Sequence, residues 1–155
     1  MELADILSKE SIIACAKVGS KRQLLQLLAD KATKLTGVEP HTIFDTLIER
    51  EQLGSTGMGN GLAIPHGKIE GLPHVCAVFT RLEQPIDYDA VDDQPVDLVV
   101  MLIAPAGAGA DHLKALSRVA RLLRSEALVG QLRDTREPEK LHEILTAPSE
   151  QHFAA

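Results

Sequence analysis

The stretch Val96-Asp97-Leu98-Val99-Val100-Met101-Leu102-Ile103 decides the fold of this 155-residue chain. It is a nearly continuous run of apolar residues, many of them β-branched, and only Asp97 interrupts it. Such a run is typical of a central strand that is covered on both faces of its sheet. We therefore expect a sheet with other elements packed on its two sides.

Shorter segments on either side of this run alternate between strand and helix patterns. Strands are predicted at residues 12–16, 62–64 and 75–79, and helices over residues 21–35, 40–51, 112–124, 127–133 and 138–145. Loops are predicted at residues 54–61, which hold four glycines, and at residues 105–110, and the acidic run Asp87–Asp93 is expected to be a solvated loop. Strands that alternate with helices indicate an α/β sandwich around one sheet.

Residues with known positional preferences mark the ends of the first two helices. Ser20 is predicted as the N-cap of the first helix, and Gly37 as the residue that ends it. Pro40 is predicted to open the second helix, because the first turn of a helix has no use for the N–H that proline lacks. Ile43 and Leu47 are expected on the inner face of that helix.

Composition and charge limit the classes of function. The net charge of −6 disfavours nucleic acid and anionic membranes as partners. No apolar run approaches the about 20 residues of a membrane-spanning helix, and the first residues lack a signal-peptide pattern. We expect one cytoplasmic domain without direct membrane insertion. Cys15 and Cys76 lie in apolar, strand-like stretches and are expected to be buried, reduced thiols.

One histidine stands out, in Gly61-Leu62-Ala63-Ile64-Pro65-His66-Gly67-Lys68. His66 ends a short apolar run and lies between a proline and a glycine, so a shaped backbone presents its side chain. Imidazole is the side chain whose charge state and nucleophilicity are best tuned near neutral pH. The segment therefore points to chemistry at His66.

Several familiar sites do not fit this segment. Five residues separate Gly61 from Gly67-Lys68, whereas a phosphate-binding P-loop has four, and the glycines also miss the dinucleotide fingerprint. His66, His74 and His112 lack the spacing of metal ligands, so we expect no metal and no cofactor. No GxSxG elbow is present, which disfavours a serine hydrolase.

The remaining chemistry is attack by the imidazole itself on phosphorus. A neutral ring nitrogen can act as the nucleophile if an acceptor holds the other N–H, and the phosphoryl group then needs hydrogen-bond donors. Arg50, Ser55, Thr56 and His112 are the candidate donors; His112 lies near the first turn of a helix, whose dipole favours an anion and a neutral imidazole. Their spacing alone does not show that they converge.

An extended motif carries a family resemblance. Arg50-Glu51, then Gly54-Ser55-Thr56-Gly57-Met58-Gly59-Asn60-Gly61 with the segment through Lys68, resembles the signature of the enzyme IIA domains of the fructose/mannitol class, in the bacterial phosphoenolpyruvate-dependent phosphotransferase system. Residues 92–98 and 111–117 are similar to that family as well. Within the class the chain resembles the nitrogen-regulatory members, because we expect a lone domain over residues 1–155, with a frayed tail from about residue 147 and without a IIB or IIC portion after Ala155.

The resemblance implies a fold, a reaction and partners. The fold would be a mixed β-sheet flanked by helices on both faces in a single-domain sandwich. His66 would accept a phosphoryl group, usually on Nε2, from a phosphohistidine of an HPr-like carrier. His112 would assist at the phosphate, and Arg50 would lie near it. The phosphorylation state would then control binding to regulatory targets, a potassium transporter or a sensor kinase.

Plainer interpretations of the same residues stay open. His66 would be a structural histidine in a turn, His112 a helix cap or core residue, and Arg50 a solvated charge at a helix end. Ser55 and Thr56 would only cap the turn. Two other functions also fit the sequence: a IIA component of a fructose/mannitol-type transport system that passes phosphate to a separate IIB, and a binding module whose phosphorylation is vestigial.

Overall fold

The structure is a computed structural model that describes residues 2–148 of the chain. Within these residues, six strands form one sheet: β1 (Ile12–Ala16), β2 (Gly57–Gly59), β3 (Leu62–Ala63), β4 (His66–Ile69), β5 (Cys76–Ile86) and β6 (Val96–Pro105). The helices in the same part of the chain are α1 (Lys21–Thr36), α2 (Pro40–Gln52), α3 (Ala110–Leu122), α4 (Glu126–Asp134) and α5 (Pro138–Thr146), and two short 3-10 turns precede β1. A frayed tail was predicted from about residue 147, and its residues 149–155 lie outside the described part of the chain.

The sheet is mixed, with strand order β1-β5-β6-β3-β2, and β4 also pairs with β6. The β1–β5, β3–β6 and β4–β6 pairs are parallel, whereas β5–β6 and β2–β3 are antiparallel. β6 therefore has partners on both of its edges. The expectation of a central strand over Val96–Ile103 is confirmed.

Side chains of β6 alternate between two apolar cores. Leu98, Val100 and Leu102 face the core that α3, α4 and α5 cover, and Val99 and Met101 face the core that α1 and α2 cover. All five are buried because each face of the strand packs on a helical layer. The predicted α/β sandwich, with helices on both faces of a mixed sheet, is confirmed.

The predicted helix ends agree with the structure to within two residues. The Ser20 hydroxyl accepts a hydrogen bond from the Gln23 amide at 3.1 Å, which caps α1. Gly37 ends α1 in the left-handed conformation, with φ of 79°, and its amide donates to the Thr33 carbonyl. Pro40 opens α2 as expected, and Ile43 and Leu47 are buried.

The strands differ more from the predictions. Residues 57–59 of the predicted loop form β2, which pairs with β3. The strand predicted at residues 75–79 extends to Ile86, because main-chain pairing with β1 and β6 continues where the side chains become polar. His66 was expected after a strand, but it is the first residue of β4.

One burial prediction was wrong, and a second was confirmed only in part. Cys15 is exposed, because it lies on edge strand β1 at an irregularity in the pairing with β5 between Ile13 and Ala16; Cys76 is buried as expected. The acidic segment 87–93 was expected to be a solvated loop. Its carboxylates are exposed, but Tyr88 and Ala90 within it are buried.

Candidate functional site

The position of His66 is set by β3 and β4, which pair with β6 in the same register. Leu62 pairs with Leu98, and His66 pairs with Leu102 at the same offset. Pro65 lies between the two strands, and its carbonyl accepts from the Leu102 amide at 2.9 Å. Because side chains alternate along a strand, the His66 side chain lies on the same face of the sheet as Leu62. This is the face that α3 covers.

The next residue, Gly67, faces the other helical layer. A Cβ at this position would lie 2.5 Å from Thr46 Cγ2 of α2. The glycine therefore lets α2 pack directly on β4. A glycine beside His66 is therefore required for helix packing. The close approach of α2 to β4 brings the end of α2 near the imidazole.

Two hydrogen bonds fix the ring of His66. Nδ1 lies 2.8 Å from the Ile64 carbonyl oxygen, which can only accept, so Nδ1 carries the proton. Nε2 accepts from Arg50 Nε at 3.3 Å. The half-buried imidazole is thus the neutral Nδ1–H tautomer, and its lone pair is on Nε2.

Arg50 reaches His66 from the last turn of α2. Its Nη1 donates to the Gly54 carbonyl at 2.9 Å, in the loop that follows the helix. The guanidinium is therefore held between this loop and the imidazole. Its remaining N–H groups are available to an anion at Nε2, because a guanidinium carries five donors.

His112 lies in the first turn of α3, as predicted, and faces His66 across the site. The two ring centroids are 5.7 Å apart and the ring planes meet at 65°. His112 is 7% exposed, and among residues 2–148 its Nδ1 has no hydrogen-bond partner. Burial lowers the pKa of His112, and repulsion from Lys68, and from His66 whenever that ring is protonated, lowers it further. His112 is therefore neutral near pH 7, mainly through burial.

The hydroxyls of Ser55 and Thr56 bond within the protein. Ser55 Oγ donates to the main-chain oxygen of Tyr88 at 3.1 Å and accepts from the Gly57 amide at 3.1 Å. Thr56 is buried, and its amide and its hydroxyl both donate to the Glu51 carboxylate. The structure thus brings His66, His112 and Arg50 together and engages the two hydroxyls in the adjoining loop.

Three residues near the site were missed from the sequence. Lys21, Glu51 and Tyr88 form a largely buried polar cluster behind Arg50. Two signals were present in the sequence: Glu51 follows Arg50 directly, and Tyr88 is the only tyrosine of the chain, within an acidic segment. Neither signal shows that the start of α1 supplies the third member, because that contact depends on the packing of α1 on α2.

Two features are absent from residues 2–148. No group of three or more His, Cys, Asp or Glu side chains is arranged to hold a metal ion in this part of the chain. None of its helices combines the length and apolar character that crossing a membrane requires.

Comparison with known proteins gives the family of this fold and site. The sequence profile described as "Phosphoenolpyruvate-dependent sugar phosphotransferase system, EIIA 2" matches residues 5–147. The chain belongs to the type-2 EIIA family. The resemblance to the enzyme IIA domains of the fructose/mannitol class is confirmed.

Individual EIIA relatives agree along nearly the whole chain. A nitrogen regulatory protein of Bradyrhizobium diazoefficiens is 48% identical over 148 residues, which cover 96% of this chain and 97% of the relative. The crystal structure of nitrogen regulatory protein IIA-Ntr from Neisseria meningitidis is 33% identical with a TM-score of 0.88, covering 93% of this chain and 99% of that one. The crystal structure of IIA mannitol from Escherichia coli, at 22% identity, has a TM-score of 0.76 over 90% of this chain and 98% of that one, and shows the shared EIIA fold.

Proposed function

We propose that this EIIA protein accepts a phosphoryl group on His66 Nε2 from the phosphohistidine of an HPr-like carrier. The observation that carries the proposal is the tautomer of His66. The Ile64 carbonyl holds the proton on Nδ1, so the lone pair of Nε2 is free to attack phosphorus once Arg50 turns its donor away.

The transfer would proceed by in-line displacement. A bond forms between His66 Nε2 and phosphorus while the bond from phosphorus to the donor's imidazole breaks, and the donor nitrogen keeps the electron pair. Arg50 is placed to move its N–H groups from Nε2 to the phosphoryl oxygens, where negative charge concentrates. The Nδ1–H bond to Ile64 stabilises the positive charge that the ring acquires. His112 would assist as a neutral imidazole at the opposite side of the site.

The hydroxyls of Ser55 and Thr56 have a different part in this proposal. Their bonds to Tyr88, Gly57 and Glu51 favour a role in holding the loop over direct contact with phosphate. The chain's own donors would therefore be Arg50 and His112, and the reaction would use no metal and no cofactor.

Exposed apolar side chains next to the site support a protein as the phosphoryl donor. Leu53 follows α2 and is 84% exposed, and Leu113 stands beside His112 and is 66% exposed. Leu53 directly follows the helix that supplies Arg50, and Leu113 lies on the helix that supplies His112. Exposed apolar side chains beside polar groups are typical of a surface on which another protein docks.

We further propose that the phosphorylation state controls binding to a target protein in the cytoplasm, such as a potassium transporter or a sensor kinase. A phosphoryl group adds about −1.5 to −2 charge beside Leu53 and Leu113, which changes what that surface can bind. The relatives that carry the name nitrogen regulatory protein support a regulatory role. The acidic net charge disfavours nucleic acid as the target.

A transport role is the second candidate. The profile that matches the chain is described as part of a sugar phosphotransferase system. In that case the phosphoryl group of His66 would pass to a separate IIB protein of fructose/mannitol type, and transfer to a purified IIB would be as fast as acceptance from the carrier. A regulatory protein would keep its phosphate in the same mixture.

Phosphorylation in a reconstituted system tests the central proposal. Incubation with enzyme I, an HPr-like carrier and phosphoenolpyruvate is expected to give an acid-labile, base-stable phosphate on the protein. His66→Ala should abolish labelling, whereas His41→Ala, at an exposed position of α2, should leave it unchanged. Unchanged labelling of His66→Ala would show that another residue accepts the phosphoryl group.

Partner capture tests the regulatory part. Phosphorylated and unphosphorylated protein are expected to retain different partners from a cell lysate, and His66→Ala should behave like the unphosphorylated form. Identical partners for the wild type, His66→Ala and His66→Asp would instead indicate a binding module that does not use phosphorylation.

A further inference from the structure

A largely buried polar cluster lies behind Arg50, and we call Lys21, Glu51, Thr56 and Tyr88 the Glu51 cluster. The side chain of Glu51 is 5% exposed. Its Oε1 accepts from Lys21 Nζ at 2.9 Å and from the Thr56 amide at 3.0 Å, and its Oε2 accepts from the Thr56 hydroxyl. The carboxylate therefore has three donors, as a buried charge requires.

Tyr88 completes this cluster from the segment after β5. Because the Thr56 hydroxyl gives its proton to Glu51, the Tyr88 hydroxyl is the donor in the 3.0 Å bond between the two. Burial raises the pKa of Tyr88, so this donor stays protonated. Lys21 Nζ donates to the Tyr88 carbonyl at 3.2 Å and lies 4.3 Å from the centre of its ring.

The cluster ties together four segments of the chain. Lys21 is the first residue of α1, Glu51 lies in the last turn of α2, Thr56 precedes β2, and Tyr88 follows β5. A network of this kind is costly unless every member is satisfied, and when satisfied it fixes one geometry. The end of α2 and the loop after it are thus clamped to the rest of the fold.

The clamped loop is the one that orients Arg50. Gly54 lies between Glu51 and Thr56, and its carbonyl accepts from Arg50 Nη1 at 2.9 Å. The Gly54 amide in turn donates to the Glu51 carbonyl at 3.1 Å. Any movement of Thr56 away from Glu51 would move the Gly54 carbonyl, and with it the guanidinium that contacts His66 Nε2.

We infer that Glu51 is a positioning residue for phosphoryl transfer, which acts on His66 only through Arg50. Thr56, Tyr88 and Lys21 hold Glu51 in place. This inference rests on the proposed function for its reaction, but the geometry it describes exists in the unphosphorylated protein. If the role of the cluster were purely structural, its variants would change the stability of the protein and not the rate of phosphoryl transfer.

A double-mutant cycle separates these roles. The measured quantity is the rate of His66 phosphorylation at saturating phosphorylated carrier, together with the carrier concentration that gives half of that rate. Glu51→Ala is expected to lower the saturating rate about tenfold without raising the half-saturating concentration, because misplaced donors affect the transition state more than docking. In an Arg50→Ala background, Glu51→Ala should have no further effect.

Conservative variants sharpen the cycle. Glu51→Gln keeps an oxygen for Lys21 and the Thr56 amide and offers an N–H to the Thr56 hydroxyl, so it should recover most of the rate. Thr56→Val removes one hydrogen bond to Glu51 and is expected to lower the saturating rate, as Glu51→Ala does. It replaces Glu51→Ala in the cycle if that variant does not fold. Glu83→Ala breaks another partly buried ion pair, 3.3 Å long with Arg81 on β5, and should leave the rate unchanged.

Two results of this cycle would overturn the inference. One is a rate for Glu51→Ala and Thr56→Val equal to that of the wild type. The other is an equal loss in the wild-type and Arg50→Ala backgrounds, which would show that Glu51 acts independently of Arg50.

A second measurement does not depend on the reaction. Nitrogen-15 NMR of unphosphorylated protein reports the hydrogen bond at His66 Nε2. In Glu51→Ala the Nε2 signal is expected to move toward its position in Arg50→Ala, with Nδ1 unchanged; a wild-type signal would overturn the inference. If the wild type takes no phosphate on His66, the proposed function fails, while this measurement still decides whether Glu51 positions Arg50.

Discussion

His66 and His112 lie close together, yet their surroundings give them different properties. His66 is half-buried, and both of its nitrogens have partners, one an acceptor and one a donor. His112 is buried, and among residues 2–148 its Nδ1 has none. In the proposed transfer the first ring would be the nucleophile, and the second is kept neutral beside it because burial disfavours the charged form.

Phosphorylation of His66 is expected to raise the pKa of His112. In the unphosphorylated protein, burial lowers that pKa, and the positive charge of Lys68 adds to the effect. A phosphoryl group brings about −1.5 to −2 charge, which favours the protonated form of a neighbour. An NMR titration of the His112 ring proton, with exposed His41 as the control, measures the change. A lower pKa after phosphorylation would contradict this expectation.

The two cysteines should differ in reactivity. Cys15 is exposed, whereas Cys76 is buried and its burial raises the pKa of the thiol to about 11. Because the thiolate is the reactive form, a thiol reagent at neutral pH should modify Cys15 in the folded protein and Cys76 only after unfolding. Mass spectrometry of peptides from labelled protein identifies the site; modification of Cys76 at the same rate as Cys15 would count against the packing of β5.

The contact between α2 and β4 controls how the helix presents Arg50. Gly67→Ala is expected to destabilise the protein by about 1–3 kcal/mol, because the new methyl group would overlap Thr46 of α2. The rate of His66 phosphorylation should fall as well, since the end of α2 must move. Thermal unfolding and the labelling rate measure the two effects.

Gly107→Ala is the matched control for this substitution. A Cβ at Gly107 has nothing within 4 Å, so stability and labelling should stay close to those of the wild type. Equal stability of both variants would show that α2 does not pack against Gly67 as described.

Sequence patterns predicted helices better than strands in this chain. Ser20, Gly37 and Pro40 act through local hydrogen bonds and backbone angles, so their positions mark helix ends directly. β2 and β4 are too short for a pattern of their own and exist because β3 and β6 offer them partners. The same difference holds for the site: Pro65 and Gly67 pointed to His66, but the Glu51 cluster joins segments that only the folded chain brings together.

The whole molecule depends on two cores that share β6. Leu98→Ala opens a cavity on the side of α3–α5, and Met101→Ala opens one on the side of α1–α2. Each is expected to cost about 2–5 kcal/mol, because both side chains are fully buried. Urea unfolding should show one transition that both substitutions shift, as expected for a single domain. Two transitions, each sensitive to only one substitution, would contradict the single-domain prediction.

The shared register of β3 and β4 along β6 restricts how this family can change in length. Because side chains alternate along a strand, the loss of one residue between Leu62 and His66 would turn the imidazole toward α1 and α2, into an apolar core. Insertions or deletions in the turn after β4, near Gly71, leave that alternation untouched. Natural variation in length is therefore expected to accumulate downstream of the site, and the five residues that end in His66 should keep their number.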